Sequence, residues 1–368
     1  MVDLWIRTIF FTTPDWRTVM TINHPRYVVA AVQAAPVFLD LEATVTKTIE
    51  LIEEAARNGA TLIAFPETWI PGYPLFSWLG SPAWSLQFFQ RYHDNSLVIN
   101  SEQYRLIEQA AARNKIMVVL GFSERDAGSL YISQSIINSE GITISTRRKL
   151  KPTHVERTVF GEGDGSDLSV HETELGRVGA LCCWEHLQPL TRYAMFAQNE
   201  QVHIGAWPSF SLYAGAAYTL GPEVNTAVSQ IYAVEGQCFV VAPSAVVSEQ
   251  MIELLCSTPE HHALLQAGGG HARIFGPDGR SLAEPIPENV EGILYAEIDL
   301  SVISLAKAAA DPAGHYSRPD VTRLLLDPTP KSRVVHVRAE PAAPEMQPAT
   351  AVVQVDQPTE PLERVTPA

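Results

Sequence analysis

The sequence predicts an α/β protein with two sheets stacked face to face and helices outside them. Three observations carry the prediction. From residue 27 onward, apolar runs of strand length alternate with segments of helical period. Most of these runs are apolar at nearly every position, the pattern of strands buried on both faces. Several neighbouring strands have no helix between them, so a single sheet wound by alternating strand and helix does not account for the order. Two stacked sheets with helices on the outer faces satisfy all three.

The elements follow in order. Residues 27–35 (YVVAAVQAA) read as a buried strand. Residues 41–59 read as a helix, with Val45, Ile49, Ile52 and Ala56 at helical spacing and Gly59 at its end. TLIAFP (61–66) is a short strand apolar on both faces, and a helix at 102–114 leads into the strand KIMVVLG (115–121). Residues 129–141 and 142–150 form a strand pair joined at Gly141. RVGALCC (177–183) is a strand ending in two cysteines, followed by a helix at 190–199 and the strand VHIGAWP (202–208). A helix at 225–235 precedes the strand QCFVVAP (237–243). A Pro-Asp-Gly turn divides strand segments within 271–282, and GILYAEIDL (292–300) is the last strand.

The two ends differ from this body. Residues 1–22 read as an N-terminal extension, whose brief apolar run carries Asp3 and lacks the small-residue cleavage site of a signal peptide. Residues 338–368 are rich in Pro, Ala and Glu and poor in aromatics, a disorder-prone composition. The folded domain is therefore expected at 23–337.

Composition narrows the function. The chain carries 26 Lys and Arg against 41 Asp and Glu, a formal charge of −15, which disfavours a nucleic-acid partner. No run approaches the roughly 20 apolar residues of a membrane helix. The four cysteines, Cys182, Cys183, Cys238 and Cys256, are too few for a disulfide framework at this length. That usage points to the cytoplasm.

Three segments carry chemistry, each at the end of an expected strand, where active sites of α/β proteins gather. Glu67 lies in FPETWIPGYP (65–74), Lys149 in RRKLKPTHVERTVFGEGDG (147–165), and Cys183 in CCWEHLQP (182–189). A thiol is a weak nucleophile until it loses its proton. A nearby carboxylate can take that proton, and a nearby ammonium favours the thiolate. The ammonium can also stabilise negative charge developing on a substrate nitrogen. Glu156, seven residues beyond Lys149, is placed to orient it or to position water. Cys182, next to Cys183 on a strand, is expected to point to the opposite face. Tyr73, Trp184 and Trp207 flank the three segments as candidate pocket walls.

Together these segments resemble the nitrilase superfamily of carbon–nitrogen hydrolases, with its Glu–Lys–Cys triad. RKLKPTHVER, GEGDGSDL and CCWEHLQP look like its true nitrilase branch, and WPSFSLYAG (207–215) looks like the bacterial arylacetonitrilases. The likeness runs from about Tyr27 to Val335. It implies a four-layer αββα sandwich, with Glu67 as base, Lys149 as cation, Cys183 as nucleophile and Glu156 as an additional acid. The family register selects Cys183 over Cys182 and Lys149 over Lys151. It further implies a small nitrile as substrate, arylacetonitriles above all, without cofactor or metal. Dimers that extend into spiral filaments belong to the same expectation.

The remaining motifs read otherwise. His186, three residues past Cys183, resembles a papain-type base in kind, but such bases are distant in sequence; it reads as a pocket-wall or packing residue. GEGDG (161–165) lacks the lysine of a phosphate loop. His261, His262 and His271 show no metal-ligand spacing. The rival activities are amide or N-carbamoyl hydrolysis and cyanide hydration; a fold kept as a scaffold without turnover sits poorly with an intact triad. The expected helix 190–199 is apolar on more than one face, through Leu190, Tyr193, Ala194, Met195, Phe196 and Ala197, so one stripe is expected to meet a symmetric partner.

Overall fold

The computed structural model describes residues 24–213 and 215–335. The expected extension and the tail at 338–368 lie outside the described residues. A compact unit ends at Pro330, and a second unit begins at Lys331.

The strands are β1 (Arg26–Ala34), β2 (Ala60–Ala64), β3 (Met117–Asp126), β4 (Ser129–Ile137), β5 (Thr143–Arg148), β6 (His171–Thr173), β7 (Gly176–Cys182), β8 (Val202–Ala206), β9 (Phe239–Ala242), β10 (Ser244–Ala245), β11 (Arg273–Phe275) and β12 (Gly292–Asp299). The helices are α1 (Leu41–Arg57), α2 (Phe76–Leu79), α3 (Pro82–Asp94), α4 (Glu102–Asn114), α5 (Pro189–Phe196), α6 (Pro222–Gly236), α7 (Glu249–Leu255), α8 (Pro259–Leu264) and α9 (Val302–Ala309).

The first sheet runs β10-β1-β2-β3-β4-β5, with β12 also paired to β1. β1, β2 and β3 are parallel, β4 reverses, and β5 reverses again, so β2 and β5 point the same way. The second sheet runs β11-β9-β8-β7-β6, with β7, β8 and β9 parallel and an antiparallel strand on each edge.

Side-chain alternation builds the layers. Along β1, Val29 and Ala31 join the core between the sheets, while Ala30 and Val32 join the core beneath α1 and α4. Along β9, Phe239 and Val241 face the first sheet, while Val240 and Ala242 face outward with Met195 of α5 and Tyr232 of α6. Each sheet is thus apolar on both faces, which is why its strands read as continuous apolar runs. The result is the expected αββα sandwich.

α1 starts where Asp40 accepts a hydrogen bond from the Ala43 amide at 3.0 Å. It buries Thr44, Val45, Thr48, Ile52 and Ala55. Sequence periodicity did not announce α2, α3, α7, α8 or α9. α3 illustrates the reason. Only Tyr92 in it is buried, and it packs through large aromatics such as Trp84 and Phe88, so no clean apolar stripe marks it. The available signal was local: Ser81 caps the Trp84 amide and Pro82 opens the helix. Among the described residues no helix is long and apolar enough to cross a membrane.

Candidate active site

Parallel direction places the C-terminal ends of β2 and β5 on one edge of the first sheet. Glu67 follows β2 and Lys149 follows β5. The Lys149 Nζ donates to Glu67 Oε1 at 2.7 Å and to Glu156 Oε2 at 2.9 Å. All three side chains are buried. The remaining oxygen of Glu67, Oε2, is buried and has no hydrogen-bond partner among the described residues. It is an acceptor without a donor, a costly state that marks a place for chemistry.

Glu156 is itself held on both oxygens. The Thr153 amide donates to Oε2 at 2.6 Å and the Tyr73 hydroxyl to Oε1 at 2.6 Å. Trp78 Nε1 in turn donates to the Tyr73 oxygen at 3.1 Å. Lys151, two residues from Lys149, lies at the surface in an ion pair with Glu162.

The second sheet contributes the thiol. β7 ends at Cys182, and the chain turns sharply at Cys183, whose φ is 46°. This corrects the expected strand through 183. The two cysteines diverge because Cys183 leaves the strand in a left-handed conformation, which costs a non-glycine residue on the order of 1–3 kcal/mol. Cys182 is buried in the cluster with Leu75, Tyr92 and Leu130, while Cys183 lines a cavity.

Glu185 secures the turn. Its carboxylate receives both terminal nitrogens of Arg147, at 2.6 and 2.9 Å, and the Cys182 and Leu150 amides, each at 2.8 Å. Those two amides adjoin Cys183 and Lys149, so one buried ion pair fixes the ends of β5 and β7 together.

Burial and charge set the proton affinities. Burial pushes the Glu67 carboxyl up to about 8, against the pull of Lys149. The neighbouring carboxylates hold Lys149 well above the usual ammonium value despite its burial. Burial and the nearby Glu67 raise the Cys183 thiol, while Lys149 and the Trp184 amide act the other way. A resting thiol beside a base poised near neutrality is suited to proton transfer at the moment of attack.

The cavity is lined by Cys183, Trp184, Tyr73, Trp78, Glu156 and Phe210, with Thr153, Leu212 and Asn225 among the others. The space between its walls is about 450 Å³, part of it open to solvent. Two expected pocket walls are corrected: His186 and Trp207 do not line it. His186 turns inward, its Nδ1 2.6 Å from the Cys183 carbonyl oxygen, and stacks on Trp207 with ring centroids 5.1 Å apart. Trp207 donates through Nε1 to Ser229 at 2.9 Å. Both are buried behind the turn, where their polar atoms find partners.

Trp78 and Phe210, whose aromatic character alone reads as core or interface, line the cavity instead. Asn225, Ser229 and Tyr232 form a buried polar stripe on α6 at helical spacing. Asn225 accepts from Trp184 Nε1 at 3.1 Å, so the stripe orients a cavity wall. Among the described residues no three His, Cys, Asp or Glu side chains gather as a metal-binding group.

The fold agrees with comparisons to known proteins. A family description, carbon–nitrogen hydrolase, matches residues 28–308. A nitrilase of Pseudomonas syringae pv. syringae (strain B728a) is 63% identical over 317 residues, covering 86% of this chain and 94% of that protein. An arylacetone-specific nitrilase of Alcaligenes faecalis is 52% identical over 335 residues, covering 89% and 94%. The carbon–nitrogen hydrolase of Helicobacter pylori G27 superposes with a TM-score of 0.64 at 17% identity, covering 80% of this chain and 97% of that one, a likeness of fold alone. The chain belongs to the carbon–nitrogen hydrolase family, within its nitrilase branch.

Proposed function

We propose that this protein hydrolyses nitriles to carboxylic acids and ammonia through a covalent intermediate on Cys183. The observation that carries the mechanism is the unpartnered Oε2 of buried Glu67, in a site that also holds a thiol and an ammonium. Glu67 takes the Cys183 proton as sulfur attacks the nitrile carbon. Lys149 stabilises the charge that develops on nitrogen, and a proton delivered there gives a thioimidate. Water adds to the thioimidate carbon, the nitrogen leaves as ammonia, and a thioester remains. A second water releases the acid and restores the thiol. Glu156 holds Lys149 in place and, lining the cavity, is available to orient water.

Arylacetonitriles are the favoured substrates. The cavity is walled by Tyr73, Trp78, Trp184 and Phe210, which suits an aromatic ring. The arylacetone-specific relative supports the same choice. Ammonia release from phenylacetonitrile, an aliphatic nitrile, phenylacetamide and hydrogen cyanide, with acid and amide both scored, tests the reading. Phenylacetonitrile should be turned over fastest, to acid. A preference for phenylacetamide would overturn nitrile hydrolysis, and a preference for the aliphatic nitrile would overturn the substrate class.

The enzyme works in the cytoplasm as a homo-oligomer, extending to filaments. On α5, Leu190 is 69% exposed, and on α6, which packs against α5, Ile231 and Val234 are exposed. Phe196, expected among the outward residues, is buried, with its ring centroid 4.7 Å from that of Tyr232. The test is therefore Leu190→Asp with Tyr193→Asp, read by light scattering after size exclusion. Smaller particles support self-association through α5; an active wild-type monomer sinks it.

A further inference from the structure

Behind the Cys183 turn lies a second set of buried groups that the mechanism above does not use. The Tyr232 hydroxyl donates to Glu200 Oε2 at 2.6 Å. Glu200 Oε1 lies 2.8 Å from His203 Nδ1. His203 Nε2 lies 2.8 Å from His186 Nε2, and His186 Nδ1 lies 2.6 Å from the Cys183 carbonyl oxygen. Tyr232, His203 and His186 are fully buried, and Glu200 nearly so.

The direction of these bonds follows from one end. A carbonyl oxygen only accepts, so His186 Nδ1 carries a proton and donates. In a neutral imidazole the other nitrogen must then accept, so His203 Nε2 donates to His186. By the same rule His203 Nδ1 accepts, and its only partner among the described residues is Glu200 Oε1. Glu200 must therefore supply a proton there, while its Oε2 accepts from Tyr232. Every group is satisfied and none carries a charge. The alternative, a His203 cation against a Glu200 carboxylate, places two charges in a fully buried site at large desolvation cost. Burial acts in the same sense on each group. It raises Glu200 to about 8, lowers His186 to about 3, and lowers His203 well below the usual imidazole value.

The strands make room for this chain. Gly179 of β7 pairs in register with His203 of β8. A Cβ at Gly179 would stand 2.1 Å from Glu200 Oε1, and one at Gly205 would stand 3.1 Å from His186 Nε2. Two glycines on neighbouring strands thus clear the space that the carboxyl and imidazole occupy.

We infer that Tyr232, neutral Glu200, His203 and His186 form a one-directional hydrogen-bond chain that positions the Cys183 turn by holding its carbonyl oxygen. The inference rests on Cys183 as the nucleophile. None of the four touches the substrate; they are positioning residues. The left-handed Cys183 conformation needs such a restraint, because nothing in its own side chain favours it. Misplacing a reacting atom by about 1 Å lowers the rate on the order of 10²-fold.

The test compares Glu200→Gln with Glu200→Leu in the full chain, assayed on the best nitrile of the wild type. Gln donates from its amide nitrogen to His203 and accepts from Tyr232 on its oxygen, so its kcat should stay near wild type. Leu does neither, and its kcat should fall about 10²-fold while KM holds, because the cavity lining is untouched. Tyr232→Phe, a smaller perturbation that folds more safely, should lower kcat in the same direction. Infrared spectroscopy at neutral pH should show a protonated-carboxyl band that disappears in Glu200→Gln. Equal losses for Gln and Leu, an unchanged kcat in Leu, or absence of that band would each overturn the chain. Turnover by Cys183→Ala would instead overturn the nucleophile assignment, and leaves the infrared result standing by itself.

Discussion

Replacing Glu185 by Leu should damage stability and turnover together, by amounts the structure fixes. Glu185 is buried and accepts four hydrogen bonds, two from Arg147 and one each from the Cys182 and Leu150 amides. Arg147 is likewise buried. Removing the carboxylate leaves that guanidinium charge without its counter-ion, which costs about 3–5 kcal/mol. At about 2.1 cal/mol/K of unfolding entropy per residue, a chain of 368 residues loses roughly 5 °C in Tm for about 4 kcal/mol. Turnover should fall on the order of 10²-fold, because the freed amides adjoin Lys149 and Cys183. Circular dichroism melting and ammonia release measure the two effects. The double variant Arg147→Met with Glu185→Leu separates them: with no unpaired charge it should regain most of the stability, while the loosened strand ends keep it slow. A Glu185→Leu enzyme with unchanged Tm and normal turnover would refute the reasoning. So would a double variant whose losses simply add.

Cys183→Ala should abolish turnover, while Cys182→Ala, which trims a small core side chain, should keep most of it; the reverse result would place the nucleophile one residue earlier. Lys149→Arg should lose about 10²-fold or more in kcat, because Lys149 sits fully buried between two carboxylates at 2.7 and 2.9 Å and a guanidinium does not fit there. The pH profile of kcat/KM should show an acidic limb set by Glu67. Burial raises this carboxyl to about 8, so the base form is lost as pH falls through that value and the rate falls with it. A profile flat from pH 6 to 9 would remove Glu67 as the base. A chain cut to residues 20–337 should fold with activity intact, and insolubility on expression would show that an end packs on the body.

The sequence by itself determined the layers and singled out the three side chains proposed to react. Strands apolar at every position need cover on both faces, which forces stacked sheets with helices outside, and no tertiary detail is required to see it. Glu67, Lys149 and Cys183 were legible because each ends such a strand in a motif of distinctive composition. The structure alone decided what surrounds them. The divergence of Cys182 and Cys183 comes from one left-handed residue, not from strand alternation, and a φ value leaves no mark on residue type outside glycine and asparagine. His186 and Trp207 carried the right chemistry for a pocket wall but face away from it, because the direction of a side chain beyond a turn depends on packing from α6, far along the chain. Glu200, His203 and Tyr232 were silent in the sequence for the same reason. A buried polar group is recognisable only by its partners, and here those partners are brought together by the pairing of β7 with β8 and the docking of α6 against them.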